Sequence, residues 1–339
     1  MVAGETSVVG EYRYRPAWWL PGGHAQTLWG KFVRPGIKAP SEFEVISLPD
    51  GDQLELHTHQ APPGAPRVLL LHGLEGTVRS HYVGGIMAAA AAIGWGTTLM
   101  VFRGCGSTPN TARRFYHSGE TTDIAHVYSL LRQRHPASPW YALGVSLGGN
   151  VLLKWLGEAG ASASIIAAAA ISVPFDLEAG ARKIGTGFAR IYDRNFLRTL
   201  RTKSLRKLDV YPDLCDRAAL LRARSVYEFD DVVTARVHGF ADAHDYYQRS
   251  SSMSFLANIR VPTLLLSARN DPFLPPSVLD RAQRVAAANP ALATEFHAGG
   301  GHVGFVAGRW PWRARYYAEE RAIEFLQRAG GWRAPRALP

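Results

Sequence analysis

The chain has 339 residues, of which 47% are hydrophobic and 19% charged, with a formal net charge of +10. That length and balance allow one large α/β domain with a smaller insertion, and exclude disordered and fibrous chains. Cys105 and Cys215 are the two cysteines, too few for a disulfide framework or a Cys-rich metal site, and free thiols in a reducing compartment are expected.

In chain order, Met1 to Ser7 shows neither a basic n-region followed by an apolar run nor a lipidation motif, so a cytoplasmic location is expected. Gln53 to His59 alternates apolar and polar residues as an edge strand does, and Arg67 to Leu71 is an apolar run of buried-strand length. The uncharged stretch Gly84 to Phe102 approaches membrane-spanning length. Its glycines and threonines and the break at Gly94-Trp95-Gly96 make it helix, turn and then a strand from Thr97 to Phe102. Trp140 to Val145, Ile165 to Ser172, Pro262 to Ser267 and Ala293 to His297 are further strands, with helical patterns between most of them. This rhythm predicts a doubly wound, mostly parallel sheet. It is interrupted between Asp176 and Ile259, so residues 176–259 are expected to form an inserted helical cap on a core of residues 1–175 and 260–339.

The positive charge is concentrated in that interruption, since Arg182 to Arg224 holds 12 Lys and Arg against four Asp, a local net of +8. Phe188, Ile191, Tyr192, Phe196, Leu200, Leu205 and Leu208 fall on one helical face among these basic residues. The first reading is a solvated outer face over an apolar lid; peripheral contact with an anionic membrane or an acidic substrate is the second. No nucleic-acid module accompanies the charge, so nucleic-acid binding is not expected.

Chemistry in such a sheet is built at the carboxyl ends of strands. The run Trp140 to Val145 ends in Gly144-Val145-Ser146-Leu147-Gly148 and opens at once into a helical pattern from Asn150 to Leu156. A serine on a tight strand-to-helix turn needs small residues two before and two after it, which Gly144 and Gly148 supply, and this makes Ser146 the candidate nucleophile. His72-Gly73-Leu74-Glu75-Gly76 follows the strand ending at Leu71, where a glycine turn can aim backbone N–H groups at an oxyanion. Leu74 and Leu147 are the expected N–H donors. Asp271, in Asn270-Asp271-Pro272 past an apolar strand, is the candidate acid, and His302, in Gly299-Gly300-Gly301-His302, is the candidate base, with His297 its competitor. The chain order Ser146, Asp271, His302 is that of an α/β-hydrolase.

The elbow and the acid and histidine loops resemble the α/β-hydrolases. Further segments resemble one branch of them, the YheT-like hydrolases related to the animal abhydrolase-domain lipases and esterases. Those segments are Gly23-His24-Ala25-Gln26-Thr27-Leu28, His72 to Gly76, Phe102-Arg103-Gly104-Cys105-Gly106, Tyr116 to Thr121 with Asp123, and Glu228-Phe229-Asp230-Asp231 with Asp245-Tyr246-Tyr247. The likeness covers nearly the whole chain and implies cofactor-free serine hydrolase chemistry on carboxylic esters. Gly106-Ser107 departs from the branch, which commonly has serine before glycine there.

Arg103, Glu120 and Asp123 are expected to form a buried ion-pair network, with Ser118 capping the helix that follows. His24 is expected to anchor the N-terminal arm. His24, Gln26 and His72 have no metal-ligand spacing, and no phosphate-binding Gly-x-x-x-x-Gly-Lys loop is present. The expected activity is an ester hydrolase on a small-molecule acyl ester. An acyltransferase with the same three residues and a non-catalytic scaffold of the same fold are the alternatives.

Overall fold

The structure, a computed structural model, describes residues 14–37, 40–107 and 110–331. The leaderless N-terminus expected at Met1 to Ser7 lies outside the described residues. The sheet is made of β1 (Glu42–Ser47), β2 (Gln53–His59), β3 (Arg67–Leu71), β4 (Gly96–Val101), β5 (Trp140–Val145), β6 (Ala168–Ile171), β7 (Thr263–Ala268) and β8 (Leu292–His297). Their order across the sheet is β1-β2-β4-β3-β5-β6-β7-β8. Across the sheet from β4 through β3 to β8 the pairings are all parallel, whereas β2 is antiparallel to both β1 and β4.

Every residue of β3 to β7 is buried. A strand buried at every position has both faces covered, which explains why these strands read as continuous apolar runs rather than alternating ones. Around the sheet lie α1 (Gly23–Phe32), α2 (Val83–Ala91), α3 (Thr122–Arg134) and α4 (Leu147–Ala159). The doubly wound, mostly parallel sheet is therefore borne out, with one correction. β2 is not the edge, because β1 pairs along it from Ser47↔Gln53 to Glu42↔Thr58. In β1 the apolar residues Phe43 and Val45 are exposed and alternate with Glu42 and Glu44, and only Ile46 is buried in the core, so the segment shows no apolar alternation to read; a short charged strand of this kind suits a sheet edge.

Between β6 and β7 the chain runs through α5 (Leu177–Ile184), α6 (Arg190–Leu208), α7 (Arg217–Arg222), α8 (Val226–Phe229), one π-helical segment at 230–235, α9 (Arg236–His238) and α10 (Ala243–Ser250). These helices carry apolar clusters of their own, one around Leu197, Leu214, Leu220 and Phe229, and another around Leu177, Tyr246 and Tyr247. The chain closes with α11 (Pro276–Ala287), the short pair β9 (Val306–Ala307) and β10 (Arg315–Tyr316), and α12 (Tyr317–Ala329). No helix among the described residues is long and apolar enough to cross a membrane.

The basic face of α6 is not wholly solvated. Lys203 Nζ reaches Glu75 Oε1 at 2.8 Å, and Lys207 is buried, donating to the Asn110 side chain and to the carbonyls of Ala112 and Arg114. Burial pushes the Lys207 ammonium down to about 8. Ile191 and Phe188, expected on the apolar face, are instead 54% exposed. Asp193 rather than an apolar residue is buried near the start of α6, where its carboxylate takes the Val226 amide.

Candidate active site

Ser146 sits between β5 and α4 with φ 54° and ψ −121°, a conformation that L-residues rarely adopt and that costs backbone strain. The surrounding packing imposes it. A Cβ at Gly144 would lie 2.5 Å from Gly148 O, and one at Gly148 would lie 2.5 Å from His72 O, so both glycines expected around the serine are required by close backbone approach. The Ser146 amide donates to Ile171 O at 2.8 Å, fixing the turn against β6.

Asp271 and His302 come together at this turn. Asp271 Oδ2 lies 2.8 Å from His302 Nδ1, and His302 Nε2 lies 2.9 Å from Ser146 Oγ. The second carboxylate oxygen of Asp271 accepts the Phe273 amide at 2.8 Å, and the Phe273 ring stacks on the His302 imidazole with centroids 4.1 Å apart. Asp271 and His302 are buried. With Nδ1–H donating to the carboxylate, Nε2 is left as an acceptor for the serine hydroxyl. His297, the competing histidine, lies away from this chain of bonds, its ring 5.0 Å from that of Tyr14.

The turn carrying Leu74 lies against the serine, since a Cβ at Gly73 would be 3.1 Å from Ser146 Cβ. It is pinned on both sides of Leu74: the Gly73 amide donates to Tyr82 Oη at 2.8 Å and the Glu75 amide to Tyr116 Oη at 2.9 Å. His72 is a structural clip beneath it. Its Nε2 accepts the Phe102 amide at 3.0 Å and its Nδ1 lies 2.7 Å from Gly73 O, while burial lowers its pKa to about 4 and keeps the ring neutral. Leu147 is buried at the first turn of α4 and borders the same cavity as Leu74 and Ser146.

Several residues that hold the site escaped sequence reasoning. The His302 amide donates to Thr27 Oγ1, the Gly301 amide to Asn270 Oδ1 and the Val303 amide to Ser172 Oγ, at 2.8, 2.9 and 3.0 Å. Thr27 lay within the motif at Gly23 to Leu28, whereas nothing in the sequence marks Ser172. Glu75, Ser146, Ser172, Val303 and Phe305 are non-glycine residues with positive φ, and they cluster around the site, as strained backbone does where a fold over-determines a functional geometry.

The expected ion-pair network changes membership. Arg103 grips Asp123 with two bonds of 2.6 and 2.7 Å and also reaches Asp50 and Asp52, while Glu120 pairs with Arg114. Asp50 sits in a tight turn and Asp52 just after it, before β2, and neither was singled out. Ser118 does not cap α3, whose preceding residue is Thr121. The Ser118 amide and carbonyl instead hold Tyr246 Oη and Asn150 Nδ2. His24 does anchor, but to α6, with Nδ1 3.2 Å from Tyr192 Oη. The Gly106-Ser107 departure leaves Gly106 facing the Glu55 carboxyl, where a Cβ would be 2.1 Å away. Cys105 and Cys215 are free and buried, and burial pushes the Cys105 thiol up to about 12.

Ser146 and His302 stand where two cavities meet. Both cavities are bordered by Leu74, Glu75, Phe196 and Phe273. The inner chamber extends beneath the helices between β6 and β7 and is walled by Leu177, Ile184, Leu200, Phe229 and Val233. The outer one opens past Lys31, Phe32, Arg79 and Ile191. Such a junction leaves Ser146 Oγ between one apolar and one more polar side.

A family model described as the alpha/beta hydrolase fold matches residues 66–308. YheT of Escherichia coli (strain K12), named as a candidate esterase, is 39% identical over 84% of this chain and 84% of its own. The phospholipase ABHD3 of Homo sapiens is 28% identical over 93% of this chain and 78% of its own. Among solved structures, an esterase of Pyrococcus furiosus, Pf2001, superposes with a TM-score of 0.55 over 85% of this chain and 92% of its own, at 16% identity, a likeness of fold alone.

Proposed function

Because the chain belongs to the α/β-hydrolase family, in its YheT-like branch, we propose that it hydrolyses carboxylic esters through a covalent acyl–Ser146 intermediate. The unbroken line of hydrogen bonds from Asp271 through His302 to Ser146 at the meeting of two cavities carries this reading.

In the first half-reaction His302 Nε2 takes the Ser146 proton as Oγ attacks the ester carbonyl, forming the tetrahedral intermediate. The N–H groups of Leu74 and Leu147 receive the oxyanion, and the pinned turn around Leu74 means no reorganisation is needed at that moment. The C–O bond to the alcohol breaks and His302 returns its proton to the departing oxygen. Water, deprotonated by His302, then attacks the acyl carbonyl and releases the acid and free Ser146. Asp271 holds the imidazole in the required tautomer and stabilises its cation.

Residues 176–259 act in this reading as a cap on the core formed by 1–175 and 260–339. The apolar inner chamber beneath the cap takes the acyl group, and the outer cavity takes the alcohol. Initial rates on p-nitrophenyl esters from acetyl to palmitoyl, for wild type beside Ser146→Ala, test the proposal. Turnover that disappears in the variant supports it, and adding alcohol or amine acceptors while following ester or amide product separates hydrolysis from acyl transfer. Absence of Ser146-dependent turnover on every ester would refute it.

A further inference from the structure

Lys203 leaves the basic outer face of α6 and turns its ammonium towards the turn that follows β3. Arg194, Arg198 and Arg206 of the same helix are exposed, whereas Lys203 Nζ lies 2.8 Å from Glu75 Oε1, on an acid whose side chain is only 9% exposed. That oxygen also accepts the Tyr116 hydroxyl at 2.9 Å and faces the Cys105 thiol at 3.8 Å. Burial pushes the Cys105 thiol up to about 12, so it stays neutral and does not compete for the lysine. Arg103, which also borders the inner chamber, is taken by Asp50, Asp52 and Asp123. Among the described residues, Lys203 alone forms an ion pair with Glu75.

Glu75 matters because of its place in the chain. It follows Leu74, whose N–H is assigned to the oxyanion, and it holds a φ of 56°, a strained value for a residue with a side chain. A closed circuit of bonds maintains that backbone. Tyr116 Oη accepts the Glu75 amide at 2.9 Å and donates its proton to the Glu75 carboxylate. Donation to the carboxylate turns the lone pairs of Tyr116 Oη towards the amide, so Glu75 orients the clamp on its own backbone.

The carboxylate is also close to the charge that the reaction creates. Two bonds of 2.9 Å lead from Oε1 to the Glu75 nitrogen and one residue more leads to the Leu74 nitrogen, which keeps the carboxylate within roughly 10 Å of that donor. An uncompensated anion at that separation, in a site sheltered from water, opposes a second negative charge on the substrate oxygen. The ground-state ester carries no such charge, so the penalty falls on the transition state. A buried carboxylate stripped of its partner is also costly to keep in place.

We propose that Lys203 is a positioning residue for the reaction: from α6 it holds and neutralises the Glu75 carboxylate, so that Tyr116 keeps the turn of Leu74 in place and the oxyanion forms beside a compensated charge. Residues 176–259 then do more than cover the chamber, because the oxyanion site is complete only with α6 seated on it. The inference rests on the ester-hydrolase reading above. Lys203 acts through Glu75 and makes no hydrogen bond to Ser146 or His302.

The experiment measures kcat and KM on p-nitrophenyl butyrate, and Ki for an alkyl trifluoromethyl ketone, whose carbonyl adds to Ser146 and leaves a tetrahedral oxyanion. Lys203→Met keeps the side chain's length and removes its charge. In it kcat is expected to fall about tenfold, KM to change less than about twofold and Ki to rise about tenfold, a fraction of the cost of losing a whole oxyanion donor. Lys203→Arg retains most of the wild-type kcat. Glu75→Gln/Lys203→Met, which keeps an acceptor for Tyr116 but carries no anion, regains most of what Lys203→Met lost, a rescue that a role in packing alone does not predict. KM and Ki do not depend on the amount of folded enzyme, so partial unfolding cannot imitate this pattern. Glu75→Gln alone removes the anion and leaves the ammonium, so its Ki is expected at or below the wild-type value even if Lys203→Met fails to fold.

Unchanged kcat and Ki in Lys203→Met, losses that the double variant does not restore, or a raised Ki in Glu75→Gln overturn the role of Lys203 alone. Absence of Ser146-dependent turnover in the wild-type protein overturns the hydrolase reading and this inference with it.

Discussion

The hydroxyl of Thr27 accepts the backbone N–H of His302 at 2.8 Å and donates to Gly23 O at 2.7 Å, joining residues 275 positions apart. Gln26 extends the clamp, accepting the Val306 amide and donating to the Val306 carbonyl. A glycine-rich loop has little conformational preference of its own. The position of the histidine is therefore set by the N-terminal arm as much as by the loop that carries it.

Thr27→Val keeps the shape and removes the acceptor. The expected result is a fall in kcat of roughly tenfold with KM nearly unchanged, because a small displacement of the base affects chemistry more than binding. The cost in stability is about 1 kcal/mol, that of one hydrogen bond. Steady-state kinetics with a urea titration reads both; a variant altered only in stability would make the clamp merely structural.

Asp271→Asn leaves the site's shape in place but takes away the carboxylate that selects the Nδ1–H tautomer of His302. A drop in kcat on the order of 10³ to 10⁴ is expected, with the melting temperature little changed. A variant retaining more than a tenth of wild-type kcat would remove Asp271 from the proposed role.

Gly148→Ala places a methyl 2.5 Å from His72 O and 2.6 Å from Leu71 O, backbone atoms at the end of the central strand β3 that cannot swing aside. Destabilisation of roughly 3 kcal/mol or more is expected, at the upper end of what overpacking costs. Gly187→Ala is a control at a residue with nothing within 4 Å but a φ of 54°, where the strain of a left-handed conformation costs roughly 1 kcal/mol. Thermal melts compare them directly, and equal losses would mean that steric approach at the elbow is not what demands glycine.

Stability should fall as the pH drops from about 6.5 towards about 4. His72, His81 and His238 have folded pKa values of about 4, and His117 lies well below its ordinary value, all through burial. In that window the unfolded chain binds protons that the folded chain refuses, so the fold loses ground as acid is added. Asp230 and Glu319, pushed up to about 6 and about 7 by burial, act in the opposite sense. Burial also lowers His135 and raises Asp193, and five histidines against three acids leave the histidines in control. Urea midpoints at pH 7 and pH 5 measure the slope, and His72→Gln should flatten it; an unchanged slope would mean that His72 is not neutral in the fold.

The parallel strands were legible because burial on both faces writes itself as unbroken apolar runs, as in Arg67 to Leu71 and Trp140 to Val145, which match β3 and β5 residue for residue. β1 was not, because Phe43 and Val45 face solvent and, apart from the buried Ile46, the strand contributes its backbone pairing to β2. At the site, Ser146, Asp271 and His302 were legible because each stands just past a strand in a turn rich in glycine or proline. The residues that position them were less so. Thr27, Asn270 and Ser172 act through single hydrogen bonds to backbone amides far away in sequence, and such bonds leave no periodicity or spacing to read. Lys203 and Lys207 misled for a related reason, since a lysine turned inward to Glu75 or to backbone carbonyls is indistinguishable in sequence from one in water.

The most direct measurement is intact-mass spectrometry after brief exposure to a fluorophosphonate, with peptide mapping, on wild type, Ser146→Ala and His302→Ala. A single adduct on Ser146, absent from Ser146→Ala and formed far more slowly in His302→Ala, is the predicted result, because the reagent reports a serine activated by its histidine. Labelling at another residue, or no labelling of the folded wild-type protein, would contradict the account.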